Sequence, residues 1–288
     1  MIPLGRVAVV GAGQVGTMIG ATLVRQRRTA GVSSVSLYDA DPEVAQAALE
    51  RGAGDLVLAD PRGALEADLV ILAVPVTEII GWVREFGPFM APGRALLDTG
   101  SAKAEVVAAM AHAIPGGVHA VGGHPMAGNE GYGPGAAEPD ALRGAVFAIT
   151  PCRADEEALR IAIDLASACG ARPLVIDAVR HDRLVARTSH LPHLLASALA
   201  VVAAEVEPDT ALTGALAGSG YEGSSRLAAS DSRMVAAFAS ANRGQLESAL
   251  GEFRAALVRL EAALGEEPPA LELELSRGRR ARALVLER

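Results

Sequence analysis

The chain has 288 residues, and 26 Lys and Arg against 34 Asp and Glu leave a formal charge of −8 at neutral pH. Half of the residues are hydrophobic and only 3% are aromatic, so a core in about two domains of roughly 150 residues each has to be built from Ala, Val, Leu and Ile. The acidic pI near 5.3 excludes a binder of nucleic acid or anionic membrane that works through a positive field.

The first half alternates short apolar runs with helical stretches. Strands are expected at Val7 to Val10, Val35 to Tyr38, Leu69 to Val74, Ala95 to Asp98, Val118 to Val121, Val146 to Ile149 and Pro173 to Ile176. Helices are expected at about Gln14 to Arg27, Pro42 to Arg51 and Glu156 to Cys169. Runs that stay apolar without alternating suit buried parallel strands, and the pattern predicts an α/β domain with a mostly parallel sheet over residues 1–177. From Ala178 onward only helical periodicity remains, in stretches Arg180–Glu205, Asp209–Leu216, Ser232–Ala241, Gly244–Leu264 and Pro269 to the end. Gly and Pro place the breaks at Pro208, Gly218–Gly223 and Gly265–Pro269. Residues 178–288 are therefore expected to form an all-α domain. Its Ala-rich, aromatic-poor helices leave flat apolar faces, which predicts a homodimer.

Cys152 and Cys169 are too few for a disulfide framework, and the expected setting is the reducing cytoplasm. The longest uncharged apolar stretch of interest, Thr188 to Ala204, has 17 residues and includes Pro192 and two histidines. That is short of the ~20 that cross a bilayer, and no leader is expected ahead of the first strand. The basic cluster Arg277 to Arg282 reads as a solvated helix face.

Gly11-Ala12-Gly13-Gln14-Val15-Gly16 sits between the strand VAVV and a helix. In that context Gly11 allows the tight turn, Gly13 lets a pyrophosphate approach the backbone, and Gly16 packs helix on strand, with the phosphates at the helix N-terminus. Asp39 ends the second strand, 28 residues after Gly11; the spacing exceeds the usual ~20 by the insertion RRTAGVSS. A carboxylate there accepts from a ribose and repels a 2′-phosphate, which favours NAD over NADP. Val74 and Pro75 end the third strand, where they either leave room for the cofactor or form an ordinary turn.

Three further segments carry polar chemistry: Asp98 to Lys103 (DTGSAK), Gly122 to Gly128 (GGHPMAG) and Ser189 to His193 (SHLPH). Ser101 and His124 are expected beyond strand ends, where a hydroxyl beside an imidazole can set its tautomer and leave one nitrogen to accept a proton. Duller readings stand beside these. His124 could cap the turn before Pro125, Ser101 could be the N-cap of a helix beginning at Ala102, and His190 could be a core histidine. His112 and His119 look structural, His181-Asp182 could serve a domain junction, and the histidines of SHLPH lack the companions of a metal site.

The motifs GAGQVG, AVP, DTGSAK, GGHPMAGNEGYG, HDRLVARTSHLPH and SRLAASD, in that order from residue 7 to about 243, resemble the prephenate/arogenate (cyclohexadienyl) dehydrogenase family of tyrosine biosynthesis. The resemblance implies a Rossmann-like domain, a helical dimerisation domain, NAD as cofactor and oxidative decarboxylation of a cyclohexadienol. It implies that His124 bonds the ring hydroxyl with help from Ser101, that Arg226 holds a substrate carboxylate, and that His193 and His190 line the pocket. Arg226 suits a carboxylate because its planar fork binds two oxygens, although a surface ion pair is also open to it. Departures lie in SGYEGSSR, where Tyr221 and Glu222 adjoin the expected pocket, and in Ser232 to Val235 after SD. A carboxylate at Glu222 suits an amine-bearing substrate such as arogenate or an amino-substituted prephenate. No appended regulatory module is expected. A β-hydroxyacid or imine reductase of the same plan would place a lysine on the first long helix of the second domain, which has none here. A non-enzymatic NAD sensor would have lost part of the set Ser101, His124, His193 and Arg226.

Overall fold

The computed structural model describes residues 3–206 and 210–287; the expected break at Pro208 and helix start at Asp209 lie outside the described residues. Its first half is an eight-stranded sheet: β1 Gly5–Val10, β2 Val32–Tyr38, β3 Leu56–Val57, β4 Leu69–Leu72, β5 Ala95–Asp98, β6 His119–Pro125, β7 Val146–Pro151 and β8 Arg172–Val175. The strand order is β3-β2-β1-β4-β5-β6-β7-β8. Every pair is parallel except β6 with β7. Helices α1 Gln14–Arg25, α2 Arg27–Ala30, α3 Pro42–Glu50, α4 Val76–Glu85, α5 Ala104–Ala113 and α6 Glu156–Ala168 connect the strands. Alternate residues of the central strands feed two cores. Val7, Val9, Leu37, Ile71 and Leu97 share one with buried residues of α1 and α6, and Ala8, Val10, Val70, Leu72 and Leu96 share the other with those of α4 and α5.

Chain order reverses between β1 and β4. β1 pairs with β2 on one side and β4 on the other, so the crevice beyond their carboxyl ends is where an open α/β sheet receives a ligand. The expected strands are present, with three differences. The insertion after α1 folds as α2 and the start of β2, ended by Gly31 at φ +61, because glycine accepts the left-handed turn that closes a helix. The two-residue edge strand β3 was too short to give an alternating signal. β6 runs to Pro125 rather than stopping at Val121. Gly122 and Gly123 weaken a strand on propensity but are required by close packing, since a Cβ at Gly123 would lie 2.6 Å from the Asp98 carbonyl oxygen.

After β8 every described element is helical: α7 Ala178–Val185, a π-helical turn Ala186–His190, α8 Leu191–Glu205, α9 Thr210–Leu216, α10 Ser219–Ser225, α11 Ser232–Ala241, α12 Arg243–Leu264 and α13 Pro268–Leu286. Sequence texture changes at Asp177, but packing divides the chain into Met1–Asn242 and Arg243–Arg288, because α7 and α11 pack on α5 and α4. The second unit is the pair α12 and α13, and α13 buries no residue. No described helix is long and apolar enough to cross a membrane.

Candidate active site

The glycine turn is shaped by atoms that are absent. Gly11 has φ +97, and a Cβ there would lie 2.4 Å from the Ala73 carbonyl oxygen; one on Gly16 would lie 1.8 Å from the Gly11 oxygen. Gly13, by contrast, faces open space, with nothing within 4 Å of its Cβ position. It stands at the N-terminus of α1, which has no side-chain cap and no acidic residue in its first turn. Free N–H groups there are ready for an anion. Asp39 Oδ2 accepts from Ala12 N at 2.8 Å and its Oδ1 from Asp41 N at 3.0 Å, which holds the carboxylate at the end of β2 against the turn. Val15 and Val74 are half-buried and Pro75 is exposed. Open backbone at a helix N-terminus with a carboxylate alongside fits a dinucleotide.

Beside this turn, β5 and β6 end in a buried ionic cluster. Asp98 and Lys103 are fully buried and paired, and Lys103 Nζ also donates to the Gly123 carbonyl at 2.7 Å. Asp98 accepts from Gly100 N at 2.8 Å and Gly123 N at 3.3 Å. Burial pushes the Asp98 carboxyl up and the Lys103 ammonium down, and each partner opposes the other's shift. Ser101 is half-buried in the loop over this pair. It is not a helix cap: α5 starts at Ala104 with Lys103 at the N-cap position, which gives no side-chain cap. The cap comes from Asp182 on α7, whose carboxylate accepts from Lys103 N at 2.7 Å and Ala104 N at 2.8 Å.

His124 lies within β6, not beyond it, and is 8% exposed. Its Nδ1 is 2.9 Å from His181 Nε2, and His181 Nδ1 is 2.8 Å from Asp182 Oδ1. Burial, then the neighbouring His181, Lys103 and His190, holds the His124 pKa well below the usual imidazole value. His190, at the end of the π-helical turn, is buried and stacked on Phe238, with Nδ1 3.2 Å from Asn242 Nδ2. Burial pushes it down to about 4. His193 is half-buried, edge-on to the same Phe238, with Nδ1 2.9 Å from the Ser189 carbonyl. The structure thus gathers Ser101, His124 and His190 around Lys103 and His181.

Arg226, Tyr221 and Glu222 lie on α10 and the short turn that follows it. Arg226 has 60% of its side chain exposed and is ion-paired with Glu130. Glu222 is exposed on α10, and half-buried Tyr221 accepts from Ser225 Oγ at 2.7 Å through its backbone carbonyl. The carboxylate that reaches Arg226 is therefore Glu130, six residues beyond His124 in the motif GGHPMAGNEGYG; the signal was in view, but its partner is far away in sequence. The same loop is tied to the glycine turn, since Gln14 Nε2 donates to Ala136 O at 3.2 Å and Gln14 Oε1 accepts from Asn129 N at 3.3 Å. The partners of Lys103, Asp182 and Asn242 are 60 to 79 residues away or set by burial, which no spacing in the sequence shows. Among the described residues no group of three or more His, Cys, Asp or Glu could hold a metal.

Two family models match most of this chain. Residues 23–175 match the model "Prephenate dehydrogenase, nucleotide-binding domain", and residues 177–272 match "Prephenate dehydrogenase, dimerization domain". The chain is 32% identical over 194 residues to a prephenate dehydrogenase of Lactococcus lactis subsp. cremoris, covering 67% of this chain and 53% of that one. It thus spans about half the length of that relative. A cyclohexadienyl dehydrogenase of Zymomonas mobilis is 30% identical over 266 residues, 91% of this chain and 89% of its own. The fold matches a prephenate dehydrogenase of A. aeolicus, solved with hydroxyphenyl propionate and NAD+, with a TM-score of 0.88 at 23% identity over 99% of both chains. With both models matched in order along this sequence, the chain belongs to the prephenate dehydrogenase family.

Proposed function

We propose that this chain is an NAD-dependent dehydrogenase that converts prephenate to 4-hydroxyphenylpyruvate and carbon dioxide, with His124 as the base on the ring hydroxyl. The observation that carries the reading is the buried His124, with Nδ1 taken by His181 and Nε2 left to meet a ligand. It stands one strand from the loop of Ser101 and is joined through its following loop to the nucleotide turn. Gly11, Gly13, Gln14, Val15, Gly16, Val74 and Pro75 are proposed to frame the cofactor and Asp39 to bind its ribose, which selects NAD over NADP. When bound, NAD supplies the acceptor for the hydride that leaves the carbinol carbon.

His124 Nε2 takes the hydroxyl proton as that C–H bond breaks and the ring carbonyl forms. It returns the proton to the same oxygen when the bond to the ring carboxylate breaks and its electron pair aromatises the ring. A base with a depressed pKa is already neutral at pH 7, and such a group contributes about 10²–10⁴ in rate. Ser101 shares the hydroxyl. Arg226 receives the side-chain carboxylate in exchange with Glu130, and His193, His190, Tyr221 and Glu222 border the substrate. Glu222 and Glu130 together keep arogenate, or an amino-substituted prephenate, as the second reading.

The domain plan proposed is residues 1–177 for the nucleotide and 178–288 for substrate and dimerisation. Exposed Leu199, Val201 and Val202 on α8 and Leu273 and Leu284 on α13 support a homodimer, and two free cysteines support the cytoplasm. The test is absorbance at 340 nm with NAD or NADP and each of prephenate, arogenate and amino-substituted prephenate. Reduction of NAD by prephenate at the highest kcat/KM is expected; reduction by none of the three would contradict the reading.

A further inference from the structure

We propose that His181 and Asp182 are positioning residues that set the tautomer of His124 and so decide which of its nitrogens can act. The inference rests on His124 being the base proposed above, and it follows from counting donors. A carboxylate offers only acceptors. Asp182 uses Oδ1 for Lys103 N–H at 2.7 Å and Oδ2 for Ala104 N–H at 2.8 Å, which fixes it at the N-terminus of α5. Asn242 Nδ2 donates to its backbone carbonyl at 2.8 Å and ties it to the end of α11. His181 Nδ1, 2.8 Å from Asp182 Oδ1, must therefore present its N–H to the carboxylate.

A neutral imidazole has one N–H, so His181 Nε2 carries a lone pair. That lone pair faces His124 Nδ1 at 2.9 Å, and His124 must place its own hydrogen on Nδ1. Its Nε2 is then the unprotonated nitrogen, which is the form a base needs. The opposite tautomer of His124 would set two lone pairs against each other between rings that are 8% and 2% exposed, where water is not at hand to replace the lost bond. When Nε2 takes the proton, the charge is shared through His181 toward Asp182.

The other groups facing His124 are Lys103 from the start of α5 and His190 from the π-helical turn, with Asp98 paired to Lys103. None of them offers an acceptor to His124 Nδ1. The sequence shows this device only as an unexplained His-Asp step 57 residues from the histidine it serves.

Nitrogen-15 NMR of the histidine side chains in the ligand-free protein at pH 8 reads the tautomer directly. The wild-type chain is expected to show His124 protonated on Nδ1, and His181→Leu to shift it toward Nε2 protonation. In steady state His181→Leu should lower kcat by about 10²-fold or more with KM within threefold, since a wrong tautomer forfeits most of a general base's contribution. His181→Gln, which restores an acceptor oxygen, should stay within about tenfold of wild type. Wild-type His124 protonated on Nε2, or a His181→Leu enzyme at full kcat, overturns the proposal. Should wild type fail to oxidise any cyclohexadienyl acid, the reaction assigned above is wrong, while the NMR result still decides the relay.

Discussion

The two sides of the site are built by opposite means. On the nucleotide side, β1, β4 and the start of α1 meet through bare backbone, and Gly11 and Gly16 admit contacts that no side chain could share. On the acid–base side, β5, β6 and α7 bury Asp98, Lys103, His124, His181 and Asp182 together, and the cluster holds because every charge there has a partner. One region fails when an atom is added and the other when an atom is taken away. Variants on the two sides should therefore differ in kind as well as size.

The largest effect is expected from Lys103→Met. It strands Asp98 in a fully buried site, and breaking a buried pair in this way costs about 3–5 kcal/mol. Urea unfolding should show the loss, and a stability near that of wild type would mean the pair is dispensable. Next comes acid. His190 is held down to about 4, so between the unfolded value near 6.5 and pH 4 the unfolded chain binds a proton that the native chain refuses. Stability then rises with pH across that window and is lost on acidification, by on the order of 3 kcal/mol. His124 adds loss in the same direction. Unfolding midpoints of His190→Asn should fall less steeply between pH 6.5 and 4 than those of wild type; equal slopes would sink the assignment.

The nucleotide side should answer to steric additions. Gly16→Ala pushes a methyl into the Gly11 carbonyl and should cost about 1–3 kcal/mol, as overpacking does. Gly13→Ala meets nothing in the protein and should change stability by less than about 0.5 kcal/mol. Calorimetry should nevertheless show NAD bound about tenfold more weakly by Gly13→Ala, or about 1.4 kcal/mol, because the methyl occupies the space through which the pyrophosphate approaches. Unchanged NAD affinity would move the cofactor away from this turn.

The same contrast explains how much could be read in advance. The parallel strands, the glycine turn and Asp39 are local patterns, and the sequence carries them in full view. His124 was found as part of a motif, but its place inside β6 was not, because Gly122 and Gly123 look like a loop until the closeness of Asp98 and Thr150 is seen. The Arg226–Glu130 pair and the Asp182 cap join residues 96 and 78 positions apart, and no spacing rule reaches that far. The π-helical turn at Ala186–His190 broke a helix that reads as continuous, since its apolar period does not change there.

The central claim is that His124 takes and returns the substrate's proton. Single-turnover hydride transfer, followed at 340 nm, should be compared between wild type and His124→Asn, with NAD and prephenate affinities measured separately. The account predicts a rate at least 10²-fold lower with both ligands bound within about threefold of wild type. A His124→Asn enzyme that reduces NAD at the wild-type rate would contradict it.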